Sequence, residues 1–309
     1  MELTYTLSEG EPPRKVYNIL KNEFYASAGL IRRLKRSGGI TIGGENAFTD
    51  RILLPGETLC ADITSCEPEC NIVPERGETE ILWETDGLLA VNKPAGQLVH
   101  PSRAQYNGTL SNYVAGYLLE TAGFSHCHAV NRLDRDTSGV VLFAKNSYMK
   151  ERAGKSLSGR ECKKEYLAAV LGTPEKSEGT IDAPIIRLRE MDMKRGVSPE
   201  GKRAVTHYSV LSSGVIHGER VSLLSLVLET GRTHQIRVHM AHIGCPLAGD
   251  KLYGRPSSAF PQSGQLLHAK KLTFIPPFNS SPIVISAPVT RTDLRFCMSA
   301  LGFSDGVEI

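Results

Sequence analysis

The chain has 309 residues, of which 40% are hydrophobic and 22% charged, a composition typical of a globular protein with one large or two unequal domains. No apolar run approaches the roughly 18 residues that a membrane-spanning helix needs, and the first residues lack the pattern of a signal peptide, so we expect a cytoplasmic protein. Seven scattered cysteines, an odd number, are typical of reduced thiols rather than of a disulfide framework.

Positive charge is concentrated near the N-terminus. Residues 13–51 carry eight Lys or Arg against three Asp or Glu, an excess of +5 in a chain whose net charge is +3. Apolar residues at helical spacing predict a helix from Val16, and Ser27 can cap a second helix that ends at Gly38. The exposed face of the second helix carries four basic residues, Arg32, Arg33, Lys35 and Arg36. They could be a solvated surface, but the charge excess favours contacts with nucleic-acid phosphates.

The rest of the chain follows a linker. Periodicity is lost between Cys60 and Glu80. Cys60, Cys66 and Cys70 have an irregular spacing and no fourth ligand nearby, so we expect no zinc site. Further on, the predicted strands have mixed spacing, with helices placed between them and few β-α-β units, and Thr109, Ser147 and Thr233 are suitable helix caps. This order predicts an α+β fold with a mixed, largely antiparallel sheet. We place a small N-terminal α/β domain with its linker at residues 1–75 and the main domain at residues 76–309.

The most informative stretch is residues 128–139, which read His-Ala-Val-Asn-Arg-Leu-Asp-Arg-Asp-Thr-Ser-Gly. Residues 140–144, which follow, are apolar and predict a buried strand. Asp134 therefore lies on a loop that a strand holds in place, and Arg132, two residues earlier, can face the same cleft. Taken alone, the pattern would fit an ordinary Asx-turn with a surface ion pair.

Three further stretches contain polar residues in ordered settings. Residues 92–96 read Asn-Lys-Pro-Ala-Gly, a turn from which Lys93 can meet a phosphate. Tyr166 lies in a predicted strand, where it could also be an ordinary core aromatic. Residues 231–239 read Gly-Arg-Thr-His-Gln-Ile-Arg-Val-His and predict a helix. Its histidines do not converge on one face, so we expect no metal site there.

Together these stretches resemble the RluA-type family of pseudouridine synthases over roughly residues 80–290. The resemblance implies the α+β fold of that family, with Asp134 as the catalytic aspartate, Tyr166 as the active-site tyrosine and Arg237 as the arginine paired with the aspartate. The family usually has His where this chain has Asn131. The helix–helix–strand order of the N-terminal segment resembles the RNA-binding domain named after ribosomal small-subunit protein S-four.

The implied reaction separates uracil from ribose, turns the base over and rejoins it through carbon 5. It requires no cofactor and no metal, and no cofactor motif is found in the sequence. Asp134 would either attack the anomeric carbon or take a proton from the neighbouring ribose carbon, and the sequence leaves both routes open. Arg237 would hold Asp134 ionised, Tyr166 would stack on the uracil, and Arg132 could fill the space of a flipped base.

We therefore expect a monomeric isomerase that binds RNA. The added basic segment favours large-subunit ribosomal RNA over transfer RNA. Two other classes remain as alternatives at this stage. One is an RNA-binding regulator with an inactive catalytic domain. The other is a glycosidase or nucleoside hydrolase that uses Asp134 together with Asp136.

Overall fold

A computed structural model of the chain describes residues 1–68, 70–189, 193–257, 259–260 and 264–303. Residues 304–309, the end of the predicted main domain, lie outside the described residues. The helices are α1 Val16–Asn22, α2 Ala28–Ser37, α3 Leu110–Ala122, α4 Ser147–Leu157, α5 Gln235–His242 and α6 Thr292–Ala300.

The strands of the N-terminal segment are β1 Glu2–Thr6, β2 Arg14–Lys15, β3 Ile40–Ile42, β4 Glu45–Asn46, β5 Ile52–Leu53 and β6 Thr58–Asp62. Those that follow are β7 Glu80–Glu84, β8 Leu88–Lys93, β9 His128–Ala129, β10 Ser138–Ala144, β11 Lys163–Leu171, β12 Glu178–Asp182, β13 Ile185–Arg187, β14 Arg195–Val197, β15 Val205–Ile216, β16 Glu219–Leu228, β17 Leu267–Phe274 and β18 Ile283–Ser286.

The N-terminal segment forms its own four-stranded sheet, in the order β1-β6-β3-β4, with α1 and α2 before β3. The predicted caps of α2 are present. The side chain of Ser27 accepts a hydrogen bond from the Leu30 N–H, and Gly38 ends the helix in the left-handed region at φ 68°. Glycine adopts this conformation without steric cost. The helix–helix–strand order expected for this segment is confirmed.

This segment packs directly against the rest of the chain. Buried side chains of α1 and α2 form one hydrophobic cluster with Leu88, Val140 and Met149 of the following sheet and helix. The Tyr148 hydroxyl donates to the Phe24 carbonyl oxygen at 2.7 Å. Because these groups are removed from water together, the N-terminal sheet is anchored by burial to one face of the larger sheet.

The larger sheet has ten strands, eight of them in the order β12-β15-β16-β11-β17-β10-β8-β7, with β18 beside β17 and β9 beside β10. Among the described pairings of this sheet, only β10 with β17 is parallel. The expected α+β fold with a largely antiparallel sheet is confirmed. Strand β17 comes late in the chain but lies at the centre of the sheet, so the two halves of the sheet meet beside the start of β10.

Of the helix caps predicted at Thr109 and Ser147, one is confirmed and one is wrong. Thr109 caps α3, as predicted, and forms a capping box with Asn112. Ser147 does not cap α4, because it is the first residue of the helix and the Asn146 side chain accepts the Met149 N–H instead. All seven cysteines are free thiols. Within the described part of the chain, no helix combines the length and apolar character needed to cross a membrane.

Candidate active site

Asp134 lies on the loop that joins β9 to β10, and the residues after it hold that loop against the sheet. The Thr137 N–H donates to the Asp134 carbonyl oxygen at 3.2 Å, which closes the predicted turn. Gly139 has φ 111° and pairs with Ala269 of β17; a Cβ at this position would lie 2.2 Å from the Ala269 oxygen. Only glycine allows so close an approach of two strands. The loop therefore enters the sheet where its two halves meet.

Side chains on both sides of the loop fix it further. The Ser138 hydroxyl lies 2.8 Å from Nδ1 of His268, and Thr137 Oγ1 accepts from the Gln265 amide at 2.9 Å. Leu133 packs into the cluster beneath the loop. The Asn131 amide accepts the Leu142 N–H at 2.7 Å and donates to the Val140 carbonyl at 3.3 Å. The residue that departs from the family pattern therefore ties the loop to β10.

A narrow cleft opens beside Asp134, and it brings together residues that are far apart along the chain. The loop supplies Asp134 and Arg132, β11 supplies Tyr166, α5 supplies Arg237, and β17 supplies Leu267. The side chain of Asp134 is 28% exposed, so the carboxylate is accessible from the cleft. The four residues predicted to act together at the uridine, Arg132, Asp134, Tyr166 and Arg237, all line this one depression.

Arg237 lies between two carboxylates. Its Nη1 donates to Asp134 Oδ2 at 3.1 Å, so the contact implied by the family resemblance is present. Its Nε and Nη2 donate to the two oxygens of Asp250 at 2.7 and 2.8 Å. Burial opposes the positive charge, but the two carboxylates outweigh it and raise the pKa of Arg237 further above its usual value. The guanidinium is therefore a permanent cation, held by Asp250 and directed at Asp134.

Asp250 is the residue that the sequence analysis missed. Its side chain is fully buried, and its Oδ1 also accepts the N–H groups of Leu252 and Tyr253 at 2.8 and 3.1 Å. Burial would raise the pKa of Asp250, but the bonds from Arg237 and from these two N–H groups lower it. The available signal was a carboxylate that follows the apolar Leu247 and Ala248 with only Gly249 between, since such a residue needs a charged partner when buried.

Tyr166 occupies an irregular position in β11. The pairing of β11 with β17 shifts register between Glu165 and Tyr166, and such a bulge changes the direction of the side chain beside it. Burial, together with the negative charge of Asp134, raises the pKa of the Tyr166 phenol. The phenol is therefore protonated at neutral pH, and its ring forms a wall of the cleft.

The predicted phosphate contact of Lys93 is wrong. Lys93 is fully buried, and its ammonium donates at 2.8 Å to each of three carbonyl oxygens, those of Pro94, Gln97 and Arg135. Burial lowers its pKa to about 7, while the three carbonyls are the contacts of the protonated form. Because every N–H of the ammonium is used, Lys93 cannot reach a phosphate. It instead ties the end of β8 to the loop that carries Asp134.

The basic face of α2 is smaller than predicted. Arg32, Lys35 and Arg36 are exposed to solvent. Arg33 is half-buried, and its guanidinium donates to the Cys66 carbonyl at 3.1 Å and to the Ser147 hydroxyl at 3.0 Å. Arg33 therefore differs from the other three basic residues, because two of its five N–H groups bind the linker and the start of α4.

Two other predicted features of the site also differ in detail. The helix that carries Arg237 begins at Gln235, and its cap is His234 rather than Thr233. Asp136 does not line the cleft of Asp134 but a separate surface depression with Arg291 and Asp293. Within the described part of the chain, no group of three or more His, Cys, Asp or Glu side chains could hold a metal ion.

Comparisons with known proteins agree with this geometry. The model of the RNA pseudouridylate synthase family matches residues 87–242. An uncharacterized RNA pseudouridine synthase of Bacillus subtilis, YhcT, is 37% identical over 298 residues, which cover 96% of both chains. Ribosomal large subunit pseudouridine synthase D of Xanthomonas campestris is 38% identical over 86% of this chain and 82% of its own length. The structure of human RNA pseudouridylate synthase domain containing 1 is 26% identical, covers 72% of this chain and 90% of its own, and superposes with a TM-score of 0.59.

Proposed function

Because this chain belongs to the RNA pseudouridylate synthase family, we propose that it isomerises uridines of large-subunit ribosomal RNA, with Asp134 acting at the ribose. The chain is an RNA pseudouridine synthase; the particular RNA and the roles of the residues are what is proposed. The observation that carries the roles is the position of the Asp134 carboxylate. It is partly exposed in a cleft, held through one oxygen by Arg237 and flanked by Tyr166.

The reaction breaks the bond between ribose C1′ and uracil N1 and forms a bond between C1′ and C5. The base loses the proton of C5 and gains one at N1, so no electrons enter or leave and no proton is consumed overall. An ionised Asp134 can serve at C1′ or C2′, and Arg237 stabilises that negative charge inside the cleft. The protonated Tyr166 offers a flat ring on which the detached uracil can stack while it turns.

The hydrolase alternative needs two carboxylates at one glycosidic bond. Asp136 would be the second, but it lines a different depression from Asp134. Asp250 is close to the site but is fully buried and paired with Arg237. The arrangement of the described carboxylates therefore supports one acting aspartate, as isomerisation requires.

The RNA substrate is proposed from the relatives and from the charged surface. Proteins named ribosomal large subunit pseudouridine synthase D match 82–96% of this chain at 33–38% identity. Exposed Arg32, Lys35 and Arg36 provide a basic face for an RNA backbone. We further propose that the enzyme acts as a monomer in the cytoplasm, where its ribosomal RNA substrate would be found.

The test combines a purified reaction with mapping in cells. The protein is incubated with transcripts of large-subunit ribosomal RNA or of transfer RNA, and the digested nucleosides are analysed by mass spectrometry. We expect pseudouridine, of the same mass as uridine, from the ribosomal transcript, and its loss at specific positions in a strain that lacks the gene. Free uracil or abasic RNA would identify a hydrolase, and product only from transfer RNA would contradict the proposed substrate.

The exposed face of α2 gives a separate prediction. Reversing Arg32 and Arg36, which lie four residues apart on one helical face, should remove two phosphate contacts and lower the slope of log affinity against log salt by roughly 1.4 to 1.8. KM should rise while kcat changes by less than about twofold, because the lost binding is the same in the ground state and in the transition state. Filter binding over a salt series and initial rates check both expectations.

The matched control is Lys176→Glu with Arg220→Glu, which makes the same change of net charge at two exposed positions, one in the loop between β11 and β12 and one in β16. If both double variants weaken binding equally, the effect is general electrostatics and α2 is not a preferred contact. Arg33 is left intact, since its replacement would break the contacts with Cys66 and Ser147.

A further inference from the structure

His234 has an unusual position beside the catalytic loop. It is the residue before α5, in the left-handed region at φ 59°, and it makes no capping hydrogen bond. Residues other than glycine adopt this backbone conformation at a cost in free energy, and the surrounding contacts hold them there. The His234 ring is almost buried, with 9% exposure, and its Nε2 lies 3.8 Å from Oδ2 of Asp134. The strained backbone thus directs an imidazole towards the proposed catalytic carboxylate.

A short hydrogen-bond chain favours one tautomer of the neutral His234 ring. The Arg195 N–H donates to the Tyr253 hydroxyl oxygen at 2.8 Å, and that hydroxyl lies 2.9 Å from His234 Nδ1. Since the oxygen already accepts from Arg195, its own proton is available for Nδ1. Nδ1 then accepts, and Nε2 carries the hydrogen of the neutral ring. The N–H that results is on the side of the ring that approaches Asp134.

The surroundings keep the ring neutral. Burial lowers the pKa of His234, Asp134 acts against this, and the charges of Arg237 and Arg195 lower it further. Tyr253 also packs its ring against Arg237, with the guanidinium carbon 5.1 Å from the ring centre. One tyrosine therefore contacts both groups that approach Oδ2 of Asp134.

We propose that His234, with its tautomer set by the Tyr253 hydroxyl, is a second donor that positions Asp134. Arg237 and His234 both approach Oδ2, which leaves Oδ1 as the oxygen for the ribose. The separation of 3.8 Å must shorten by about 1 Å for a hydrogen bond, and hydrogen bonds of this kind often tighten only when substrate closes the site. His234 acts through Asp134 and is a positioning residue. The inference rests on the proposed role of Asp134 at the ribose.

The first variant is Tyr253→Phe, which removes one oxygen and leaves the ring on Arg237. We expect kcat to fall about tenfold while KM for RNA stays within about twofold, because the variant changes the orientation of Asp134 in the transition state, and the Arg195 N–H, which also loses its acceptor, does not line the cleft. The imidazole ¹⁵N chemical shifts of His234 report the tautomer directly. In the intact protein they should show a proton on Nε2, and in Tyr253→Phe a mixture of the two tautomers.

The second comparison is His234→Leu with His234→Gln. Both residues meet the same backbone cost, but glutamine carries an amide N–H that can reach the place of Nε2. We expect kcat to fall about 100-fold for leucine and to be at least about fivefold higher for glutamine. Equal rates for the two variants would mean that His234 only fills space, and would overturn the inference. A proton found on Nδ1 in the intact protein would overturn it as well.

Tyr253→Phe keeps the inference testable if the histidine variants do not fold, and a kcat equal to that of the intact protein would also reject it. The test of His234 can fail independently of the test of the proposed function. If Asp134→Asn is inactive while Tyr253→Phe and His234→Leu are fully active, the role of Asp134 stands and the positioning role of His234 fails. If Asp134→Asn is active, the proposed function fails first.

Discussion

Asp134→Asn is expected to lower kcat for pseudouridine formation by about 10⁴-fold or more, while RNA affinity changes by less than about tenfold. An amide is isosteric with the carboxylate but can neither attack the anomeric carbon nor take a proton from the ribose. Affinity should persist because most contacts with RNA go to phosphates, and these contacts do not involve the Asp134 carboxylate. Single-turnover rates and filter binding with the same transcript check the two expectations.

The matched control for this variant is Asp136→Asn. It removes the same charge two residues away, on a side chain that lines a different depression. Activity within about threefold of the intact protein is expected. Substantial turnover by Asp134→Asn would reject the proposed role of Asp134. If only Asp136→Asn lost most of its activity, Asp136 would be the catalytic carboxylate instead.

Arg237→Met is expected to produce the second largest effect, a loss of about 10³-fold in kcat with a lower free energy of unfolding. Methionine has a similar length but leaves Asp134 without its cation. It also leaves Asp250, whose side chain is fully buried, without the partner that holds its two oxygens. Removing one partner of a buried ion pair destabilises a protein by about 3–5 kcal/mol. Rates and urea unfolding measure the two losses.

Two further variants separate the catalytic loss from the structural one. The double variant Arg237→Met with Asp250→Leu removes both charges of the buried pair. Its free energy of unfolding should therefore be higher than that of Arg237→Met, while its activity stays lost. Arg237→Lys keeps a positive charge but not the planar fork that reaches both carboxylates, so it should retain part of the activity. An unchanged rate and pH–rate profile in Arg237→Met would show that the contact with Asp134 has no role in the reaction.

The corrections to the basic residues share one physical cause. Lys93 and Arg33 have the charge that binds phosphates, yet Lys93 uses all of its donors inside the protein and Arg33 uses two of them there. Lys93 donates to three carbonyls, including that of Arg135, and Arg33 donates to Cys66 and Ser147. A charged side chain makes such bonds when burial removes water. Whether a lysine or arginine is buried depends on which distant segments pack above it. The residues next to it in the sequence therefore do not predict its burial.

Local patterns in the sequence were sufficient for much of the protein. The apolar run of residues 140–144 predicted a buried strand, Ser27 and Gly38 marked the ends of α2, and Thr109 marked the start of α3. These features depend on neighbours within a few residues, and the physics of caps and turns acts over the same range. The motif of residues 128–139 also identified the loop of Asp134, and the order of strands and helices, with few β-α-β units, indicated the largely antiparallel α+β fold.

The tertiary structure alone decided how the site is assembled. Asp134 and Arg237 meet across 103 positions of the chain, and Asp250 and His234 join them because α5, the loop after it and the start of β10 converge where the two halves of the sheet meet. Hydrogen bonds and ion pairs are short-ranged, so the role of a polar side chain follows from its distance in space to a partner. The sequence determined which chemical groups this protein has, and folding determined which of them hold the aspartate and which hold the fold.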